Sequence, residues 1–225
     1  MVNLKKDLLI TIDGPAGAGK TTTSRILAER LDYKYIDTGA LYRGVAFEAK
    51  QECVDPNDDG DLQALCGKLR LTFIKNEKGL RLLSHDVDIT DQIRTPEITM
   101  LASAVSARPV VRKHLLDVQR AMGGQKRAVF EGRDMGTVVF PEADVKFFLD
   151  ASLEVRAHRR FNELPPSASQ SMDEVERDMK RRDENDSSRN IAPLKPAEDA
   201  IVIDSTGVSI EEVVELMLSY IRNFG

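Results

Sequence analysis

The chain has no tryptophan, only two cysteines in 225 residues, and an aromatic content of 5%. Cys53 and Cys66 lack the spacing of a metal or redox motif, which excludes a disulfide scaffold and a zinc site. Both are expected to be reduced thiols packed as small apolar fillers. No apolar run approaches the roughly 18 residues of a membrane span, and Met1 to Asp7 is charged where a signal peptide would turn apolar. A cytoplasmic protein with no membrane partner is expected. An excess of positive charge is missing too: 32 basic against 37 acidic side chains leave a net charge of -5, with no global field to attract nucleic acid. Any polyanion it binds must be small and held locally. The length suits one domain with insertions.

What is present is concentrated near the start. The apolar run Leu8 to Ile12 turns directly into Gly14-Pro15-Ala16-Gly17-Ala18-Gly19-Lys20-Thr21, which satisfies the phosphate-loop pattern of Gly, four residues, then Gly-Lys-Ser/Thr. Glycines are required because phosphate oxygens must come close to backbone N–H groups, which side chains would block. Lys20 can reach the β and γ phosphates, and Thr21 offers a hydroxyl to Mg²⁺. Thr22 closes the loop, and a helix from Thr21 to Leu31 would point its positive dipole end at the anion. The expected ligand is a nucleoside triphosphate.

Four further short runs read as buried strands: Tyr33 to Asp37, Ala128 to Gly132, Val145 to Asp150 and Ala200 to Asp204. Helical patterns lie between them, so the expected fold is α/β, a three-layer arrangement on a five-stranded parallel sheet with ligands at the strands' carboxyl ends. Asp13, Asp37, Arg133 and Asp134 then project over one shared edge. Leu71 to Leu83 breaks the alternation and predicts an antiparallel hairpin turning at Asn76-Glu77-Lys78-Gly79, with Val87 to Ile89 as a possible third strand. We therefore expect a core (1–55, 100–153 and 190–225), an insertion with a small antiparallel sheet at about 56–99, and a helical lid at about 154–189.

In that last stretch 17 of 36 residues are charged, seven of them arginine, and Pro165 to Ser169 divides it into two expected helices. A charge run is usually a solvated face. Spacing raises some residues above that: Arg182, Asp186 and Arg189 fall at i, i+4 and i+7, on one stripe if the helix continues that far, and Arg156 and Arg160 share another. Phosphoryl transfer asks mainly for positioning and positive charge around the transferred group, and an arginine-bearing lid that excludes water supplies both. An acceptor that is itself a phosphate, with a second ionisation near pH 6, is largely dianionic at pH 7 and needs no dedicated base. Arg43, Arg112 and Arg133 remain available for it.

Several separated segments, in order, resemble bacterial cytidylate kinases over essentially the whole chain: Asp37 to Arg43, Ala102-Ser103 with Pro109 to Arg112, Glu131 to Pro141, and Arg182 to Arg189. The resemblance implies transfer of the γ phosphate of ATP, with Mg²⁺, to CMP or dCMP, in pyrimidine nucleotide metabolism, by a monomeric enzyme. It implies that Arg43 and Arg133 hold the acceptor phosphate, that Ser103, Arg112 and Asp134 address the cytosine, that Arg182 and Asp186 meet the sugar, and that Arg189 meets the phosphates. Lys20, Arg133, Arg182 and Arg189 become the catalytic set, with Thr38 and Tyr42 also at the substrate.

The residues leave alternatives open. Asp134 could instead pair with Arg133 or bind Mg²⁺, Tyr42 could pack at a helix start, and Ser103 lies among small residues that suit helix packing. Asp37 is either an outer Mg²⁺ ligand or the cap of the next helix. The lid reads Asp183-Glu184-Asn185-Asp186-Ser187-Ser188-Arg189, where members of the family often carry another arginine. Chemically, a carboxylate such as Asp134 can accept from cytosine's exocyclic amine, whereas uracil would oppose it with a carbonyl, a buried mismatch of about 1 to 3 kcal/mol. The Asn-Lys-x-Asp guanine motif of a small GTPase is absent. The remaining rivals are a kinase for UMP, dTMP or a shikimate-like acceptor, and a non-catalytic nucleotide-binding module.

Overall fold

The computed structural model describes residues 6–77, 79–164 and 170–224. The expected connection Pro165 to Ser169, Lys78 of the expected turn and the start of the charged N-terminal segment lie outside the described residues. The chain forms two compact units: residues up to 36 together with those from 123 onward, and residues 37–122. The second unit is wider than the expected insertion at 56–99.

The first unit is built on a sheet of β1 (Leu9–Asp13), β2 (Lys34–Asp37, of which Asp37 counts with the second unit), β6 (Ala128–Glu131), β7 (Val145–Asp150) and β8 (Ile201–Asp204), in the order β2-β6-β1-β7-β8. β1 pairs in parallel with both β6 and β7, setting Ile10 beside Val129 and Val145. Every residue of β1 and β6 is buried, which explains their unbroken apolar runs: a strand covered on both faces has no polar side to alternate with. On one face Ile10, Ile12, Val129, Phe147 and Leu149 pack with Leu27 and Leu31 of α1 (Lys20–Leu31) and Val213, Met217 and Ile221 of α8 (Ile210–Phe224). Full burial of each such side chain contributes about 1.5 to 3 kcal/mol. Beyond β6 the chain makes a short π-helical turn, Met135–Val139, a form that recurs at functional sites.

The lid expectation corresponds to α6 (Leu153–Asn162) and α7 (Met172–Ser188). Ser171 starts α7 with a reciprocal capping box to Glu174, and the helices meet through Ala157, Val175 and Met179. Arg156 and Arg160 both lie on α6, as expected, and the stripe on α7 needs correction. Arg156 is buried while Arg160 is half-buried beside Glu163, because long side chains one turn apart can leave in different directions. Arg189 lies past the end of α7, in extended backbone, although its guanidinium still approaches Asp186 at 3.7 Å.

The second unit holds α2 (Thr38–Gln51), α3 (Asp59–Lys68), the antiparallel strands β3 (Leu71–Asn76), β4 (Gly79–Ser84) and β5 (Val87–Asp88), then α4 (Pro96–Ser106) and α5 (Pro109–Gly123), of which Gly123 counts with the first unit. β3 and β4 pair from Leu71 with Ser84 up to Asn76 with Gly79, so the strands run closer to the turn than expected. Leu41, Val45, Leu65, Leu82, Ile98 and Val105 form its core. Cys66 packs there and burial pushes its thiol pKa up, but Cys53 is exposed and in the left-handed region (φ 54°), which corrects the expectation that both are buried.

Candidate active site

The phosphate loop leaves the carboxyl end of β1, the innermost strand. Gly14, Gly17 and Gly19 take φ values of +145°, +75° and +88°, conformations that side chains resist. At Gly14 a Cβ would stand 1.9 Å from the Leu149 carbonyl oxygen, so no other residue fits. α1 begins at Lys20 rather than Thr21. Its cap residue Gly19 makes no side-chain cap bond, and no acidic residue stands in its first turn. Its positive end is thus not neutralised by a side chain of its own first turn.

Lys20 is buried and donates through Nζ to the Pro15 carbonyl at 2.5 Å. Burial pushes its pKa well below the usual lysine value, and the guanidinium groups of Arg133 and Arg182 push the same way, against Glu131 and Asp13. A buried ammonium crowded by two guanidiniums is a place that gains from an incoming anion. Arg133 donates from Nε to Asp186 at 3.1 Å. Burial alone would raise the Asp186 carboxyl, but Arg133, Arg182 and Arg189 outweigh it and hold its pKa below the ordinary value. The first unit therefore brings Lys20, Arg133, Arg182, Asp186 and Arg189 into one electrostatic group. Asp134, buried, is the cap residue of the π-helical turn.

Three residues with no role assigned from sequence also serve this region. Asp13 is buried and accepts from the backbone N–H of Met135 (2.9 Å) and Gly136 (2.7 Å), joining the end of β1 to the turn that follows Arg133 and Asp134. Burial raises its pKa to about 6, against the pull of those two N–H groups and of Lys20. Glu131 closes β6 and accepts from the Thr21 hydroxyl at 2.8 Å. An acidic residue ending an apolar strand and followed by glycine was the signal that could have singled it out. Arg156, from α6, reaches the loop itself, donating to the Ala16 carbonyl at 3.2 Å.

Thr21 and Glu131 present hard oxygen atoms 2.8 Å apart, which fits Mg²⁺, an ion usually held by one or two protein oxygens with water and substrate phosphate. Among the described residues no cluster of three or more His, Cys, Asp or Glu side chains forms a metal cage. Asp37 uses both oxygens elsewhere: Oδ1 caps α2 by accepting from Ala40 N–H at 3.0 Å, and Oδ2 accepts from Arg43 at 2.8 Å.

In the second unit, Arg43 is held by that pair, Thr38 is buried at the start of α2, and Arg112 lies 5.5 Å from the Tyr42 ring centroid while donating to the Ser106 carbonyl at 3.1 Å. Ser103, half-buried one turn earlier on α4, accepts through its carbonyl from the Ser106 hydroxyl. Among the described residues no helix is long and apolar enough to cross a membrane.

The fold resembles that of a shikimate kinase from Acinetobacter baumannii solved with shikimate (TM-score 0.50, 14% identity, 97% of this chain and 95% of that one) and an uncharacterised protein from Eubacterium ventriosum (TM-score 0.53, 12% identity, 95% and 98%). At such identities the likeness concerns the fold alone. Sequence relatives are far nearer. A cytidylate kinase of Geobacter sulfurreducens is 50% identical over 97% of this chain and 94% of its own length, and one of Pasteurella multocida is 44% identical over 97% of each. The family model for cytidylate kinase matches residues 10–223. A match of that extent, with identities of this order from end to end, makes the chain a member of the cytidylate kinase family.

Proposed function

We propose that this protein transfers the γ phosphate of ATP to CMP or dCMP, giving CDP or dCDP and ADP, as a cytoplasmic monomer. The observation that carries the reading is the convergence of Arg133 and Arg182 on buried Lys20 beside an uncapped helix start, an arrangement of positive charge that a triphosphate would neutralise. Gly14 through Thr22 hold the donor's phosphates, and Lys20 stays with the β and γ oxygens as negative charge moves between them. Thr21 and Glu131 would hold Mg²⁺, which when bound neutralises charge on phosphate oxygens.

Arg43 and Arg133 take the acceptor phosphate, and Asp37 keeps Arg43 in a single orientation. Ser103, Arg112 and Asp134 read the base, with Tyr42 as a ring beside Arg112 and Thr38 near the acceptor. Arg182 and Asp186 meet the sugar, and Arg189 and Arg133 balance charge at the transferred group. The core, insertion and lid divide this work, with α6 and α7 as the lid.

The test is ADP formation from ATP and Mg²⁺ with CMP, dCMP, UMP or AMP as acceptor. CMP and dCMP should lead; faster turnover with UMP or AMP overturns the reading. Asp134→Ala should cut the preference for CMP over UMP about tenfold or more while ADP binding persists, because the amine of cytosine loses its acceptor.

A further inference from the structure

Side chains from outside the phosphate loop grip two of its carbonyl groups. Arg156 donates from Nη1 to the Ala16 carbonyl at 3.2 Å, and the same guanidinium is fixed by Ala151 (Nε to the carbonyl, 2.8 Å) and by the Asp183 carboxylate (2.6 Å). Ser205, buried just past β8, donates its hydroxyl to the Ala18 carbonyl at 3.2 Å. That hydroxyl is oriented in turn: Arg159 donates to Ser205 Oγ at 3.0 Å and to the Ser205 carbonyl at 2.6 Å, so Oγ accepts on that side and its hydrogen is turned to donate elsewhere.

In a trans peptide the C=O of one residue and the N–H of the next lie in the peptide plane and point in opposite directions. Pulling the Ala16 and Ala18 carbonyls toward Arg156 and Ser205 therefore turns the N–H groups of Gly17 and Gly19 the other way. We propose that Arg156 and Ser205 are positioning residues of the phosphate loop, fixing two alternate peptide planes so that the Gly17 and Gly19 N–H groups face the donor's phosphates. Both act through the backbone carbonyls of the loop. Glycine, free to rotate, would otherwise lose that orientation before binding, and preorganised donors are what give a loop its affinity. The inference rests on the loop's being the donor site.

The experiment measures ADP affinity by calorimetry and the KM for CMP at saturating ATP. Ser205→Ala should weaken ADP about fivefold and Arg156→Met about tenfold, each with the CMP KM within about twofold of the unmodified protein. Asp183→Asn, which leaves Arg156 able to reach Ala16, should weaken ADP less than Arg156→Met does. ADP affinity unchanged in folded Ser205→Ala, a CMP KM that rises as far as the ADP dissociation constant, or equal losses in Asp183→Asn and Arg156→Met would each overturn the proposal. Should Arg156→Met fail to fold, Ser205→Ala decides alone. Failure of the unmodified protein to bind ADP would instead defeat the functional reading.

Discussion

Residues up to 36 and from 123 onward bury Asp13, Lys20, Glu131, Asp134, Lys146, Arg156 and Asp186, whereas among the described residues of 37–122 the buried charged side chain is Arg112. The hydrocarbon of the two units is comparable, with leucine, isoleucine and valine filling both cores. Burying a charge costs several kcal/mol unless partners compensate, so a unit that does it repeatedly is shaped by something besides folding. In the first unit Lys20 is set among two guanidiniums, Arg133 and Arg182, and two carboxylates, Glu131 and Asp13. In the second, Arg81 meets Asp88 and Asp91, and Arg108 meets Asp59, at exposed or part-exposed positions where such pairs stabilise little.

The contrast can be broken most directly at Lys20. Lys20→Ala should lower kcat/KM by roughly 10³-fold while the melting temperature holds or rises, since a costly buried cation is removed; a variant that loses its fold would erase the distinction. Leu82→Ala is the counterpart in the second unit, where a fully buried side chain leaves a cavity and about 3 to 4 kcal/mol of unfolding free energy should disappear in a denaturant titration. Asp13 sharpens the comparison through pH. Its folded pKa of about 6 exceeds the ordinary 3.8, so between those values the folded protein holds a proton that the unfolded chain has released. Stability from this group accordingly falls as pH climbs through that window, by up to roughly 3 kcal/mol, and is level above it. The stability gap between unmodified protein and Asp13→Asn, followed from about pH 4 to 7, should carry that slope. The smallest effect is expected at a surface ion pair: Arg30→Ala, which loses pairs with the exposed Glu211 and Glu215, should melt with the unmodified protein.

Much of the fold could be read from residues in order. The strands β1, β6 and β7 are mostly apolar because they are buried on both faces, with Lys146 of β7 the charged exception inside them, and the hairpin showed itself as two apolar segments around a polar turn. The phosphate loop was legible because its glycines meet a local backbone demand. What stayed hidden depends on contacts across the sequence. Thr21 and Glu131 are 110 positions apart, and Asp13 and Gly136 are 123 apart, so no spacing rule links them. Arg156 and Arg160 share a helical stripe yet differ in burial, because the stripe fixes where a side chain starts and not where its guanidinium ends. The extent of the second unit was hidden for the same reason: α2, α4 and α5 join the hairpin through a core that periodicity shows only as separate faces.

β1 is held by hydrogen-bonded neighbours on both sides and leads straight into Gly14. Amides in such a strand exchange with solvent only when the whole domain opens, while helix ends and outer strands fray far more often. The nucleotide cradle thus grows from the last part of the molecule to come apart, and its base should endure through every local excursion the rest of the chain makes.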